Sequence, residues 1–376
     1  MHNPVILRLL AVLLPLGLLN GCQLFAPEPG IGKAVDWNEL PGWEKDHQAE
    51  AWPALLQECR VMPKKYPRWQ GICERAKALG EVDDGVARRF FEQEFAAHRV
   101  NPSGSKGRGL VTGYYEPILQ GSRQPDERFR YPIYRRPDDL IQVELGDVYP
   151  ELKGKRVRGR LDGRRLVPYY TRGEIDSGAE SLAGQEILWV DDPVALFFLH
   201  VQGSGRVRLP DGSLAAVGYA DQNGRAYTSI GRVLVDRGAI PQDEVSLFSI
   251  REWLSAHPDQ APALLDTNQS YVFFELRKKP EENAVGSLNV PLTPLRSIAV
   301  DPRNITLGSP VWLDTTYPGE QAKPLQRLVL AQDTGGAIKG YARADLFCGN
   351  GAEAERLAGE MKQDAKLFVL LPRDTP

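Results

Sequence analysis

The sequence predicts a mainly β fold with helices at its periphery. Three observations carry this. The 29 prolines and 36 glycines divide the chain into short segments rather than long helices. Short β-branched and aromatic runs recur from Leu110 onward, the pattern of strands separated by turns. Helical periodicity is concentrated between Trp37 and His98, with only brief returns later. At 376 residues the chain has room for about two to three domains. Its 42% hydrophobic and 25% charged content suits a protein that buries a core. Net charge is -3 and the isoelectric point is near 6.1, which argues against a nucleic-acid partner.

Residues 1–21 read as an export signal. Arg8 precedes the apolar run Leu9 to Leu19, which is interrupted by Pro15 and is short for a membrane span. The run ends in Leu19-Asn20-Gly21-Cys22, which resembles the lipobox of bacterial lipoproteins. That resemblance implies cleavage before Cys22, lipidation of its sulfur and anchoring by acyl chains. Gln23 in the next position implies the outer membrane, periplasmic face. Residues 22–36, with Pro27 and Pro29, are expected to form a tether. An exported chain meets an oxidising compartment, so Cys59 and Cys73 could pair. Cys348 reads as a small buried residue, and no cysteine spacing suggests zinc.

Between Trp37 and His98, Trp43, Leu55, Leu56, Cys59, Val61 and Trp69 are spaced for packing. Val86, Phe90, Phe91, Glu94 and Phe95 then form one helix face. Leu110-Val111-Thr112-Gly113-Tyr114-Tyr115-Glu116 is a strand stopped by Pro117. Its paired tyrosines are either packed or a sugar-stacking edge, since Tyr offers an apolar ring and a polar tip. Residues 37–117 form the first part of one domain, and residues 118–265 an inserted, strand-rich one. In the insert, Asp192-Pro193 has the N-cap and first-position chemistry of a helix start. Gln202-Gly203-Ser204-Gly205 exposes backbone amides at a turn, but no phosphate-loop lysine follows. Tyr219 and Asn223 lie on further polar turns, and residues 244–265 return to helix. His200 stands alone on a helix, and the five histidines lack HxxxH-type spacing, so no metal is expected.

From residue 266 to 376 the pattern is strands again, with segments around Val290, Ile298, Val311, Val329 and Phe368 and a helix from Ala352 to Lys362. So many short strands in about a hundred residues predict a closed barrel, which leaves no exposed edge. Within them Gln332-Asp333-Thr334-Gly335-Gly336-Ala337-Ile338-Lys339-Gly340 leads to Ala344-Asp345-Leu346. Val329 to Ala331 and Ala337-Ile338 read as short strands. The glycines between them allow a sharp turn; Asp333 and Asp345 either cap turns or gather around one site.

These residues together resemble the membrane-bound lytic murein transglycosylase A family. The run from Asp301 through Asp333 to Asp345 is similar to its three-aspartate 3D domain, here residues 286–372. Thr112 to Pro117 and Val201 to Gly205 match its other motifs. The resemblance implies a double-psi β-barrel assembled from both ends of the chain, an inserted second β-rich domain and a glycan groove between them. It implies a peptidoglycan lytic exotransglycosylase, a lyase that cleaves the MurNAc–GlcNAc bond without water and needs no cofactor. Asp345 is then the acid and later the base, with Asp333 and Asp301 supporting. A raised pKa would keep such an acid protonated at neutral pH; Asp333 would raise it and Lys339, if near, would lower it. Thr112, Tyr114, Tyr115, Gln202, Ser204, Tyr219, Asn223 and Lys339 are the candidate glycan contacts. Partners are peptidoglycan strands, the outer membrane through Cys22, and complexes of cell-wall synthesis or hydrolysis. Two other readings stay open. A hydrolytic glycosidase would use two carboxylates, Asp333 or Glu116 with Asp345. A non-catalytic wall-binding lipoprotein would keep the tyrosines and need no acid.

Overall fold

The computed structural model describes residues 28–102, 108–153, 155, 157–178, 182–279, 283–319 and 323–373. The export signal and Cys22 lie outside the described residues. The first elements are β1 (Gly30–Val35), α1 (Trp52–Glu58), α2 (Met62–Lys65), α3 (Trp69–Leu79), α4 (Asp84–Glu94) and β2 (Phe95–Asn101). Proline opens α1 and α2, where a missing N–H costs nothing. Asp83 caps α4 by accepting from the Val86 N–H at 2.8 Å. Trp52 meets Phe90 edge-on and Trp69 leans on Phe95, so the aromatic stripe is core. Cys59 and Cys73 form a disulfide across α1 and α3.

Two expectations are corrected here. Residues 30–35 are not tether but strand, because their backbone pairs antiparallel with β2. Phe95 does not continue α4. It starts β2, which pairs with a distant C-terminal strand, and that tertiary pairing overrides the helical spacing.

After β3 (Gly109–Glu116) come β4 (Ile118–Ser122), β5 (Tyr131–Tyr134), β6 (Ile141–Val143), β7 (Val157–Asp162), β8 (Arg165–Val167), α5 (Arg172–Asp176), β9 (Glu186–Val190), α6 (Pro193–Gln202), β10 (Ser204–Arg208), β11 (Leu214–Gln222), α7 (Ile230–Asp236), α8 (Leu247–Ala256), α9 (Ala261–Leu265) and β12 (Val272–Leu276). Six of these strands form one sheet in the order β12-β11-β10-β4-β9-β5, and β6-β7-β8 form a small second one. Leu119, Ile133, Leu188, Val207, Val217 and Phe274 build the core of the larger sheet beneath Leu196 and Leu199 of α6. Asp192 caps α6 through the Val194 and Ala195 N–H groups, and Gly203 ends it in the left-handed region.

The remaining elements are β13 (Ser297–Val300), β14 (Pro310–Thr316), β15 (Pro324–Asp333), β16 (Arg343–Asn350), α10 (Gly351–Glu360) and β17 (Lys362–Pro372). The sheet order is β1-β2-β17-β14-β15-β13-β16-β3, and β3 also pairs with β17. Six strands, β3, β17, β14, β15, β13 and β16, therefore close into a ring. Its interior is filled from alternate positions by Val111, Ile298, Val300, Val311, Leu313, Val329, Leu346, Leu367 and Val369. β3 precedes the second sheet in sequence and the other five ring strands follow it, so the ring draws on both ends of the chain. Arg296, fully buried at the start of β13, reaches Asp46 at 2.8 Å and Glu50 at 2.8 Å. This pins the N-terminal helices to the ring. Two short strands expected from the sequence are absent among the described residues: Ala337-Ile338 lies in a turn, with Ile338 buried, and Val290 belongs to a loop with an isolated bridge between Val285 and Pro291.

Candidate active site

The site is a row of residues running across the ring. Ala299 of β13 is in register with Asp333 of β15 on one side and with Asp345 of β16 on the other. Asp345 is in turn in register with Thr112 of β3. Two strand spacings put the aspartate Cα atoms about 9.5 Å apart.

The two carboxylates have different surroundings. Asp333 accepts from the Ser287 N–H at 2.9 Å, the Ser287 hydroxyl at 2.9 Å, the Thr334 N–H at 2.8 Å and the Tyr114 hydroxyl at 3.0 Å. Three of these donors meet on Oδ1 and the Tyr114 hydroxyl reaches Oδ2, so both oxygens are engaged. The loop that carries Ser287 comes this close because residue 286 is glycine: a Cβ there would lie 2.5 Å from the Gln332 carbonyl. Asp345 accepts only from the Thr112 hydroxyl, at Oδ1, and Oδ2 has no partner among the described residues. Burial raises the pKa of both acids. At Asp345 the Arg343 charge and the Thr112 hydrogen bond oppose the rise, while the charge of Asp333 adds to it. The cation that acts on Asp345 is therefore Arg343. Lys339 is exposed on the glycine turn, and no ion pair joins it to either aspartate among the described residues.

Asp301 shapes that turn. Its carboxylate accepts from the Gly340 N–H at 2.9 Å and pairs with Arg303 at 2.6 Å, which holds its pKa well below the usual range. Gly340 itself adopts a φ of 98°, a conformation open to glycine. Tyr114 packs its ring on Phe347 at 5.3 Å and turns its hydroxyl to Asp333.

Other candidate residues are placed differently. Tyr115 faces away from Tyr114, as strand alternation requires. It is buried, with its hydroxyl donating to Glu355 at 2.8 Å and close to Arg251, so its ring is not a stacking platform. Asn223 is buried and its amide is saturated: Nδ2 donates to the carbonyls of Tyr170 and Gln269 at 2.8 Å each, and Oδ1 accepts from the Tyr271 and Arg225 N–H groups. It closes loops and has no capacity left for a sugar. Gln202 accepts from the Tyr115 N–H at 3.1 Å and so joins α6 to β3. Ser204 is buried at the start of β10, whereas Tyr219 is exposed on β11 beside a bulge. Glu116 is fully buried between Arg206 at 3.4 Å and Arg277 at 2.7 Å. His200 is also core. Its ring sits 3.1 Å from Arg172, and burial lowers its pKa well below the ordinary value, so it is neutral.

Three site residues were not singled out from the sequence. Arg343 stands two positions before Asp345, on the same strand face; the period-two spacing was the available signal. Ser287 carries no such signal. Tyr227, on the segment before α7, is close enough for the charge of Asp345 to raise its pKa further above what burial does. A cavity of about 240 Å³ between β3, α6, α8 and α10 takes in Thr112 and Gln202. Another of about 520 Å³, lined by Tyr115, Arg251 and Glu355, contains neither aspartate.

Comparison with known proteins follows this geometry. Residues 110–275 match the MltA specific insert domain and residues 296–371 match the 3D domain. The chain is 32% identical to the membrane-bound lytic murein transglycosylase A of Vibrio cholerae, over 88% of this chain and 90% of that one. The chain belongs to the membrane-bound lytic murein transglycosylase A family. The Escherichia coli K12 member is 34% identical over 76% of this chain and 72% of its own. Among solved structures, the membrane-bound lytic murein transglycosylase of Agrobacterium tumefaciens superimposes with a TM-score of 0.81 at 35% identity, covering 92% of this chain and 98% of that one. Escherichia coli MltA with bound chitohexaose gives 0.69 at 26% identity, covering 93% and 96%. In this family frame, Thr112, Tyr114 and Tyr227 fall within the insert-domain match, and Asp301, Asp333, Arg343 and Asp345 within the 3D match.

Proposed function

We propose that this protein is a peptidoglycan lytic transglycosylase that uses one aspartate, Asp345, as acid and then as base. The observation that carries the reading is the unequal occupancy of the carboxylates around the site. Both oxygens of Asp333 are engaged, Oδ1 by three donors and Oδ2 by the Tyr114 hydroxyl, and Glu116 is locked between two arginines. Asp345 alone of the three keeps a carboxyl oxygen open, Oδ2. A hydrolase needs a second carboxylate free to take a water or to attack the sugar. A lytic transglycosylase does not, because the muramoyl C6 hydroxyl is the nucleophile.

In this mechanism protonated Asp345 gives its proton to the glycosidic oxygen as the C1–O bond breaks. The resulting carboxylate takes the C6 hydroxyl proton as that oxygen bonds to C1. The 1,6-anhydro ring forms and Asp345 is protonated again, with no water consumed. Burial and the nearby Asp333 raise the pKa of Asp345, which suits an acid that must hold a proton near neutral pH. Tyr114 and Ser287 would hold Asp333 in place. Thr112, Gln202, Ser204, Tyr219 and Lys339 remain proposed glycan contacts. We assign the six-strand ring to the double-psi β-barrel expected for the 3D domain, and the second sheet with its helices to the inserted domain. A lipid on Cys22 would tether the enzyme to the outer membrane, facing the wall, where complexes of wall synthesis or hydrolysis would be its neighbours. No described helix is long and apolar enough to cross a membrane.

The test is mass spectrometry of soluble products from purified peptidoglycan, for the wild type and Asp345→Asn. Muropeptides with 1,6-anhydro ends from the wild type, and a loss of about 10²- to 10⁴-fold in the variant, are expected. Reducing ends carrying added water would mean a hydrolase, and binding without cleavage a wall-binding lipoprotein.

A further inference from the structure

Around Asp345 the hydrogen bonds have a direction that chemistry dictates. A threonine hydroxyl has one hydrogen to give and two lone pairs to receive with. Arg343 Nη2 donates to Thr112 Oγ1 at 2.9 Å, and a guanidinium can only donate. The cation therefore holds the oxygen end of the Thr112 dipole. The single hydroxyl hydrogen points away from it, to Asp345 Oδ1. An oxygen receiving that hydrogen is the poorer place for the acid's own proton. Oδ2 has no partner among the described residues. We infer that Arg343 is a positioning residue that acts through Thr112 to keep the Asp345 proton on Oδ2, the oxygen that delivers it to the glycosidic bond and recovers it from the C6 hydroxyl. This rests on Asp345 being the acid. Without the relay, Asp345 could carry its proton on Oδ1 and donate it to Thr112, leaving the open oxygen without a proton to transfer.

Each element around the acid bears on its titration. Asp333 on β15 repels its charge, while Arg343 on β16 and Thr112 on β3 stabilise it. Tyr114 on β3, Cys348 on β16 and Tyr227 before α7 are neutral neighbours whose own ionisation Asp345 disfavours. Lys362 of β17, in register with Thr112, turns its ammonium to the Gln242 carbonyl at 3.5 Å. Arg343 is the cation that reaches the relay.

The experiment is the pH dependence of turnover on purified peptidoglycan for Arg343→Met, Arg343→Lys, Thr112→Val, Thr112→Ser and the double variant R343M/T112V, each checked for folding by circular dichroism. Arg343→Met should lower kcat about tenfold or more with KM little changed, the loss expected for a charged hydrogen bond. Activity needs the protonated acid, so it falls as pH rises through the Asp345 pKa. Removing the cation raises that pKa, and the high-pH limb should move up. Arg343→Lys should recover part of that shift, and Thr112→Ser should keep the wild-type limb. The double variant should cost no more than Thr112→Val alone, since both break one relay. An unmoved limb in folded Arg343→Met, or losses that simply add, overturns the inference. Should Arg343→Met fail to fold, a wild-type limb in Thr112→Val overturns it equally. Full activity in Asp345→Asn is a different failure, that of the acid assignment itself.

Discussion

Asp333 and Asp345 are in register with the same residue, Ala299, from opposite sides. Two acids so placed act on one another, yet one has donors on both oxygens and the other keeps an oxygen without a partner among the described residues. The charge of Asp333 pushes the pKa of Asp345 up.

Asp333→Asn should therefore move the high-pH limb of kcat/KM downward. The variant removes a negative neighbour, the Asp345 carboxylate becomes easier to form, and the protonated acid is lost at a lower pH. A pH–rate profile of the two enzymes measures this. An unmoved or raised limb would mean that the two carboxylates do not interact as their register implies.

Glu116→Gln should be a stability variant. Loss of the carboxylate removes the buried ion pairs of Glu116 with Arg206 and Arg277, a change that costs about 3–5 kcal/mol when a buried pair is broken. Turnover per folded molecule should stay within a few-fold of wild type, by comparison of denaturation midpoints and active-site-normalised rates. A folded but inactive Glu116→Gln would restore the two-carboxylate hydrolase.

Glu58 is buried on α1, and neither carboxyl oxygen has a hydrogen-bond partner in the described structure. Burial raises its pKa well above the ordinary value, and the nearby Gln332 side chain, outside hydrogen-bond geometry, offsets only part of that rise. The sign follows: below the unfolded pKa both states hold the proton and Glu58 adds no pH-dependent penalty. As pH rises above it, the unfolded chain ionises first and stability falls. Glu58→Leu should raise the melting temperature more at pH 8 than at pH 4. An equal gain at both would mean that the carboxyl is not neutral in the fold.

Arg296 ties Asp46 and Glu50 to the start of β13. Arg296→Met should lower the unfolding free energy by about 3–5 kcal/mol, because Asp46 is left buried without its cation. Urea denaturation reads the loss. A change within about 0.5 kcal/mol, the size typical of a surface substitution, would place the pair among ordinary surface contacts.

Much of this was legible along the chain. The short apolar runs Val311 to Leu313 and Leu367 to Val369, the Asp192-Pro193 helix start and the aromatic core of the N-terminal helices are local patterns, and local patterns report local structure. The paired aspartates around a glycine turn, on which the candidate site rests, are a local pattern too. Tertiary pairing decided the rest. Phe95 has helical spacing but lies in β2 because a strand from the chain's far end pairs with it. Tyr114 and Tyr115 are adjacent and alike in sequence; the sheet turns one to Asp333 and the other to Glu355. Asn223, exposed in character, is consumed by three loops that meet only in the fold. Above all, Thr112 and Asp345 are 233 positions apart. The sequence by itself determined that the chain carries acids of the right kind on strands of the right kind. Which acid is left with an open oxygen, and which arginine stands over it, depends on hydrogen bonds between distant strands. No local pattern encodes those, because they exist only once the ring has closed.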